Sequence, residues 1–317
     1  CALPIFKDAV FLGRVGSIVA EMGRMLERTA RSTNVKERLD YSCALLDADG
    51  QLVVNAPHIP VHLGALGECV RSVARVMPMR PGDAVVTNHP AYGGSHLPDI
   101  TLITPVFLGE RRVGYVANRA HHAEIGGLVP GSLPPLATRL SDEGVVIPPM
   151  HVVQNGVMHT AAIEGVLRGA TYPSRDVEVN MADLRAQVAA NVLGANLLAE
   201  YAQVEGADVL GDRLRQVHTH CEAAMRLTLG AMGAYEHAAV EEMDDGARIC
   251  VNVTIRDGAG VIDFAGTSGV HPNNMNAPAG VIRSAVLYVL RLLVNEDLPL
   301  SEGLMTPITL RIPAGML

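Results

Sequence analysis

In the first half of the chain lies the run Ile100-Thr101-Leu102-Ile103-Thr104-Pro105-Val106-Phe107, which is apolar and rich in β-branched residues. Similar runs lie on either side of it, at Ala84 to Val86 and at Val113 to Val116, and Gly and Pro residues separate the three. β-branched side chains suit the pleated surface of a strand, whereas Gly and Pro interrupt regular structure. The three runs therefore predict strands joined by loops.

Two hairpins are predicted outside this strand region. Ser42 to Leu46 and Leu52 to Val54 flank the turn sequence Asp-Ala-Asp-Gly, and this arrangement is typical of a β-hairpin. A second hairpin is predicted where the alternating run Ile249 to Ile255 meets Asp257-Gly258 and the chain returns through Val261 to Phe264.

Helices are predicted at three places by apolar residues spaced three and four apart. These are Phe6 to Thr29, a long helical hairpin from Asn180 to Ala234, and a last helix near Gly280 to Val294. We expect Asn180 to cap the helical hairpin. We also expect its first helix to turn inward the side chains of Leu184, Val188, Val192, Ala195 and Leu198. Strands, hairpins and a long helical hairpin together predict an α+β fold with mixed strands and more than one layer.

Composition excludes several classes of protein. The chain has 317 residues and a formal charge of −8, with 33 acidic and 25 basic residues that form no basic stripe, so nucleic-acid binding is not expected. Hydrophobic residues make up 49% of the chain, which excludes disorder, and the longest apolar run is too short to span a bilayer. Five widely spaced cysteines without a C-x-x-C pair fit a reducing compartment, and we expect a cytoplasmic protein.

Histidine is the unusual feature, because six of the twelve histidines fall between residues 58 and 122. Two of them begin a repeated pattern in which a carboxylate follows an imidazole by three residues, His96 to Asp99 and His121 to Glu124. Both pairs lie at the ends of adjacent predicted strands. Imidazole and carboxylate are the usual ligands of a first-row divalent metal such as Zn, Mn or Fe. The doubled pattern therefore predicts a metal site, and its spacing favours His121 over the neighbouring His122.

Other polar clusters leave alternatives open. His58 and His62 stand four residues apart, but Pro60 lies between them and argues against a shared helical face, so His62 is either a residue of the same cleft or a capping or core histidine. His218 and His220 lie in a helical context, where their side chains diverge, and we expect a solvated face there. The Asn-rich run from His271 to Pro278 is either the lining of a polar pocket or a turn.

Phosphate-binding motifs are missing from the sequence. There is no G-x-x-x-x-G-K-[ST] loop, no G-x-G-x-x-G after a strand, and neither of the two lysines follows a Gly-rich turn. We therefore expect this chain not to bind a nucleotide itself.

Seven motifs in order resemble the hydantoinase B/5-oxoprolinase family, which includes N-methylhydantoinase B-like proteins and is related to the α subunits of acetone-type carboxylases. They cover nearly the whole chain: residues 34–42, 59–64, 93–99, 121–127, 130–135, 183–191 and 263–268. Two positions depart from the family pattern. His89 stands where the family usually has Asp, and Glu124 preserves a carboxylate where the family usually has the shorter Asp.

The resemblance implies a division of labour between two parts. An A part, as a hydantoinase A-type subunit or fused half, binds ATP and phosphorylates the oxygen of a cyclic amide such as 5-oxoproline or a hydantoin. The B part, which this chain resembles, then processes that intermediate with a divalent metal. It implies His96, Asp99, His121 and Glu124 as metal ligands, with His122 and His62 as catalytic proton carriers. The alternatives are a carboxylase α subunit of the acetone or acetophenone type, and a non-catalytic scaffold for the A part.

Two regions are expected within the family unit. Residues 1–170 form a metal-site α/β domain, and residues 171–317 form the helical hairpin and the second β-hairpin. Because the family's B part is longer than 317 residues, we expect a chain truncated at its C-terminus. A hetero-oligomer with the A part is expected.

Overall fold

The computed structural model describes residues 3–55 and 59–315. Its strands are β1 Tyr41–Leu46, β2 Leu52–Asn55, β3 Ala84–Thr87, β4 Asp99–Leu108, β5 Arg111–His121, β6 Met150–Gln154, β7 Val157–Met158, β8 Tyr235–Glu242, β9 Arg248–Arg256, β10 Ala259–Asp263 and β11 Ile308–Arg311. Its helices are α1 Leu3–Thr29, α2 Thr33–Lys36, α3 Leu63–Val76, α4 Leu140–Glu143, α5 Thr160–Gly169, α6 Val177–Glu205, α7 Ala207–Met232 and α8 Ala279–Leu293. Short 3-10 turns occupy Pro60–His62, Pro90–Tyr92 and Glu302–Met305. The α+β prediction is confirmed.

The central layer is a seven-stranded sheet in the order β2-β1-β5-β4-β3-β6-β7. Every pairing in it is antiparallel. The hairpin of β4 and β5 lies in the middle, so the predicted strand region does form the heart of the fold. Helix α3 packs on one face, against Ala44, Ile103 and Ala117, while α1 and α6 pack on the other. The sheet is thus covered by helices on both faces.

Helix α6 turns an unexpected surface toward the sheet. Val192 in the predicted inward face is 49% exposed, whereas the amide side chains of Gln187 and Asn191 are fully buried against β4 and β5. Gln187 Nε2 donates to the Ile100 carbonyl over 2.8 Å, and Asn118 Nδ2 donates to Asn191 Oδ1, also over 2.8 Å. Buried polar groups are tolerated when they are hydrogen-bonded, and these amides satisfy each other.

The start of α6 also differs from the prediction. The helix begins one turn earlier, where Asp176 accepts from the backbone N–H of Val179. Asn180, the predicted cap, lies inside the first turn and binds another part of the chain.

A second, four-stranded sheet has the order β11-β10-β9-β8, and it contains the predicted second hairpin as β9 and β10. Helix α7 packs on it, and α8 packs on α3 of the first layer. One hydrophobic core runs from Phe11 to Met305 and includes residues of both predicted regions. The division at residue 170 stays a prediction, and this core ties the two regions together.

Within the described part of the chain, no helix combines the length and the apolar character that crossing a membrane requires. His58 lies outside the described residues.

The contact between α3 and α8 leads to a first prediction. A Cβ added at Gly64 would stand 2.7 Å from the backbone of Arg283 and Ser284, and the Gly64 N–H already donates to Ser284 Oγ over 2.9 Å. We expect Gly64→Ala to lower the free energy of unfolding by about 1–3 kcal/mol, because the two helices must separate.

The matched control is Gly165→Ala in α5, where nothing lies within 4 Å of the added Cβ. There the better helix propensity of Ala should raise stability by about 0.5–1 kcal/mol. Urea unfolding of both variants measures the difference, and equal stabilities would contradict the close packing of α3 on α8.

Candidate metal centre

Three strands of the central sheet bring acidic and imidazole side chains into one row. Asp99 begins β4 and pairs with His121, which ends β5. Tyr41 in β1 pairs with Ala120, so Asp40 lies beside His121, whose N–H donates to the Asp40 carbonyl over 2.9 Å. Residues paired across antiparallel strands point to the same face. Asp40, His121 and Asp99 therefore stand side by side at one end of the sheet.

His96 reaches the same place from the loop before β4. Its Nδ1 lies 3.0 Å from Asp99 Oδ2, and its Nε2 lies 3.0 Å from His121 Nδ1. The loop makes a tight turn just before it, where Gly93 has a φ of +84° and a Cβ on Gly94 would stand 2.3 Å from the Asn88 carbonyl oxygen. Only glycine fits both positions, so Gly93-Gly94 fixes the direction from which His96 enters.

Asp99 is the centre of the cluster. The carboxylate is fully buried, and His62 Nε2 and His121 Nδ1 lie 3.3 Å and 3.2 Å from its two oxygens. Burial raises the pKa of Asp99, but its interactions with the surrounding histidines, first of all His62 and His121, outweigh burial and hold the pKa well below its usual value. Asp99 is therefore an anion at neutral pH.

The cluster fits a divalent ion. His96, Asp99 and His121 each offer a ligand atom, and these atoms all lie within 4.8 Å of one another. Tetrahedral ligands about 2.0–2.1 Å from zinc stand roughly 3.3 Å apart, close to the 3.0 Å and 3.2 Å that separate His121 Nδ1 from His96 and Asp99. Asp99 Oδ2 is buried and, despite its two imidazole neighbours, accepts no well-formed hydrogen bond. A buried carboxylate oxygen without a donor is what a cation would satisfy.

Asp40 is the nearest further acid, with its Oδ2 3.9 Å from His121 Nδ1. It is partly exposed, as are His96 and His121, whose side chains are 32% and 14% exposed. The open side of the cluster is therefore the side of Asp40, His96 and His121. Two carboxylates and two imidazoles form an oxygen and nitrogen ligand set that suits Zn, Mn or Fe.

His62 does lie in this site, although behind it. Its Nε2 approaches Asp99 and its Nδ1 stands 3.0 Å from Ser42 Oγ, so both ring nitrogens are engaged and only 1% of the residue is exposed. Burial lowers the pKa of His62 more than the Asp99 charge raises it, which keeps the imidazole neutral. This position suits a residue that orients Asp99 better than the predicted proton carrier.

Glu124 is not brought to the cluster. Its carboxylate accepts hydrogen bonds from Ser174 Oγ, the Gly126 N–H, and both the backbone N–H and the guanidinium of Arg175, over 2.5 to 3.0 Å. The chain turns away after β5 ends, and Gly126 adopts a φ of +87°. The carboxylate of the predicted ligand Glu124 is therefore held in an ion pair with Arg175, and the acid that lies beside His121 is Asp40.

His122 also points away from the cleft, into a closed pocket under α6. Its Nε2 donates to Gln187 Oε1 over 3.0 Å, and Asn180 Nδ2 donates to its Nδ1 over 3.2 Å. Burial lowers the pKa of His122, so the ring stays neutral between two amides. With no exposed nitrogen, His122 lacks the access that a proton carrier needs.

Four histidines outside the cluster make local contacts or face solvent. His89 Nδ1 accepts from the Ala91 N–H and caps the 90–92 turn, which an Asp can also do, so the departure from the family pattern preserves the contact. His220 is exposed as expected, but His218 contacts Ser301 Oγ at 3.0 Å and is mostly buried. The 271–278 run is a turn whose Asn276 binds His271 and Asn273.

Sequence reasoning missed two acids near the site. Asp40 is an isolated acid directly before β1. The sequence feature that could have identified it is its position two residues before Ser42, since Asp99 likewise stands two residues before Thr101 at the start of β4. Glu143 follows the glycine-rich loop, and burial raises its pKa while nearby His96 lowers it by a smaller amount. A carboxyl with a raised pKa beside the cluster suits proton transfer.

The sequence of the chain is similar to those of known proteins. The family model described as hydantoinase B/oxoprolinase matches residues 6–317. 5-Oxoprolinase 1 of Arabidopsis thaliana is 42% identical over 340 residues, which cover 98% of this chain and 27% of that protein. The chain thus spans about a quarter of the length of this relative.

Two solved structures share the fold. The ATP-dependent caprolactamase of Pseudomonas jessenii superposes with a TM-score of 0.89 and 26% identity, covering all of this chain and 55% of that one. Nucleotide-free acetone carboxylase superposes with a TM-score of 0.86 over 99% of this chain and 44% of that one, and its 19% identity makes it a likeness of fold alone. By the family match and its extent, the chain belongs to the hydantoinase B/oxoprolinase family.

Proposed function

We propose that this chain is the B-type part of an ATP-dependent cyclic amidohydrolase that opens the ring of 5-oxoproline, a hydantoin or a related lactam. The observation that carries the proposal is the cluster of His96, Asp99 and His121, with Asp40 beside it, in a chain of the hydantoinase B/oxoprolinase family. The similarity to 5-oxoprolinase and to a caprolactamase supports a cyclic amide as the substrate.

The chemistry divides into activation and ring opening. An amide resists attack because resonance stabilises it, and phosphorylation of its oxygen by the partner turns that oxygen into a leaving group. A divalent ion, when bound, lowers the pKa of water toward neutrality and polarises the bond to be attacked. The residues that would hold this ion are His96, Asp99, His121 and Asp40.

Other residues around these ligands orient them and supply protons. His62 Nε2 lies 3.3 Å from the Asp99 carboxylate and holds it from behind, while Ser42 Oγ lies 3.0 Å from His62 Nδ1 and orients the ring. Glu143, whose half-buried carboxyl has a pKa raised by burial and interacts electrostatically with His96, is the proton carrier that we propose.

An ATP-binding A part is the proposed partner. The 317 residues contain no phosphate-binding loop, while 5-oxoprolinase 1 is several times longer than this chain and the caprolactamase is ATP-dependent by name. The four described cysteines, Cys43, Cys69, Cys221 and Cys250, are free, which suits the cytoplasm that we propose for the complex.

The second candidate is a carboxylase α subunit, favoured by the fold shared with acetone carboxylase. The experiment supplies the complex of this B part and its A part either with lactams and ATP, or with ketones, bicarbonate and ATP. We expect ATP-dependent ring opening that a chelator abolishes and added Zn²⁺ or Mn²⁺ restores, because the cluster is the proposed site of chemistry. Product analysis by mass spectrometry measures both reactions.

Carboxylation of ketones without opening of any lactam would overturn the proposal in favour of the carboxylase. Ring opening that no chelator affects, from protein without stoichiometric metal, would instead favour the scaffold hypothesis.

A further inference from the structure

Arg119 in β5 is the largest fully buried side chain among the described residues, and within this part of the chain its guanidinium forms no ion pair with a carboxylate. Its guanidinium donates three hydrogen bonds to uncharged oxygen acceptors. Nε donates to Thr101 Oγ1 over 2.8 Å, Nη1 to Ser95 Oγ over 2.8 Å, and Nη2 to the Gly93 carbonyl over 2.7 Å.

Such an arrangement is costly, because a buried cation loses its hydration and here gains only neutral partners. The core positions around it are filled by apolar residues such as Ile103, Ala117 and Cys69, so an apolar side chain suits the surroundings. The arginine therefore needs an explanation beyond the packing of the sheet.

Its three acceptors lie on the segments that carry the candidate metal ligands. Thr101 follows Asp99 by two residues on the same face of β4, and Arg119 itself precedes His121 by two residues on β5. Gly93 and Ser95 form the turn directly before His96. From its position on β5, two residues from His121, the guanidinium of Arg119 therefore binds both β4 and the loop that carries His96.

The loop depends on this contact more than the strands do. β4 and β5 are fixed to each other by their backbone ladder from Asp99 to Leu108, whereas His96 stands on an irregular turn outside any ladder. Two of the three donors of Arg119 hold that turn, and only a planar guanidinium presents parallel donors that reach Ser95 and Gly93 together.

We propose that Arg119 is a positioning residue that holds the Gly93 to Ser95 turn against the sheet and thereby sets the place of His96 relative to Asp99 and His121. The proposal rests on the metal site of the proposed function. Partners behind metal ligands typically change metal affinity by about 10- to 100-fold when they are removed.

The test measures Co²⁺ binding to the full chain, by chelator competition and by the visible absorption of the bound ion, which reports coordination geometry. Arg119→Lys keeps the charge but loses the planar guanidinium. Ser95→Ala keeps the arginine and its bond to the Gly93 carbonyl but removes the hydroxyl that holds the residue next to His96. Thr101→Val is the matched control, because it removes a hydroxyl of the same guanidinium on a strand that the ladder already holds.

We expect Arg119→Lys and Ser95→Ala to weaken Co²⁺ binding by roughly 10- to 100-fold and to alter its spectrum, and Thr101→Val to change neither. If Arg119→Lys does not fold, Ser95→Ala carries the same test with the arginine in place. Wild-type affinity and spectrum in Ser95→Ala, with only a lower melting temperature, would overturn the proposal. If the wild-type chain binds no Co²⁺, the metal site of the proposed function is overturned. The titration of the wild-type chain alone gives this result, so it is distinguished from a failure of the Arg119 proposal.

Discussion

Replacing Asp99 with Asn is expected to remove the bound metal and to lower ATP-dependent ring opening by the assembled A and B parts at least ~1000-fold. The carboxylate is buried, anionic and within 3.0 to 3.3 Å of three imidazoles, so the amide removes the charge that holds the site together. A thousandfold loss corresponds to about 4 kcal/mol, which is within what a metal ion supplies by stabilising charge in the transition state.

Two measurements on the Asp99→Asn variant test this prediction. Elemental analysis gives the metal per chain, and chromatography of the opened lactam gives the rate. Asp183→Asn is the matched control, because Asp183 is also a fully buried aspartate but accepts from the backbone N–H groups of Arg31 and Ser32, which Asn can still do. We expect it to keep both metal and activity.

Retention of metal by Asp99→Asn would show that the ion binds elsewhere. Loss of metal from both variants would show that any buried aspartate is needed for folding, and the site would then lose its support.

Local patterns explain why the elements of the fold could be predicted from the sequence. The strands at 84–87, 99–108 and 111–121 coincide with β-branched runs, because side chains within a few residues decide that preference. The order of strands in the sheet depends instead on contacts between distant residues. No periodicity places β1 beside β5, or β3 between β4 and β6.

The buried face of helix α6 contains two amide side chains that a hydrophobic pattern does not predict. Of the predicted inward face, Leu184 and Leu198 are buried, but Val192 is 49% exposed. The sheet offers carbonyls and Asn118 to this part of the helix, and Gln187 and Asn191 are buried there because they satisfy those groups. A hydrophobic pattern does not register hydrogen bonds whose partners are about 70 to 90 residues away in the chain.

For the site, spacing predicted the three residues that the cluster brings together, His96, Asp99 and His121, but Glu124 lies apart from them. His96 to Asp99 works because a short turn leads into the strand that Asp99 begins. His121 to Glu124 has the same spacing, but there the strand ends and the glycines at 126 and 127 turn the chain toward Arg175. Equal spacing in sequence therefore gave opposite directions in space.

The fourth position is decided by comparing Asp40→Asn with Glu124→Gln. Asp40 shares its sheet row and open side with His96 and His121, so we expect Asp40→Asn to weaken metal binding at least ~10-fold, because the site loses one anionic oxygen ligand. Glu124 is held by Arg175 and three further donors, so Glu124→Gln should leave metal affinity unchanged. It should lower the free energy of unfolding by about 1–3 kcal/mol, because hydrogen bonds to a charged group are lost.

Metal titration and urea unfolding of the two variants separate these effects. Each variant removes one negative charge from a partly exposed acid near His121, so a general change in electrostatic potential would affect both alike. Metal loss in Glu124→Gln with full affinity in Asp40→Asn would restore Glu124 as the ligand and would require the 122–127 loop to rearrange when the ion binds. The opposite result would mean that the register of β1 on β5, and not the repeated spacing of histidine and carboxylate, completes the metal site.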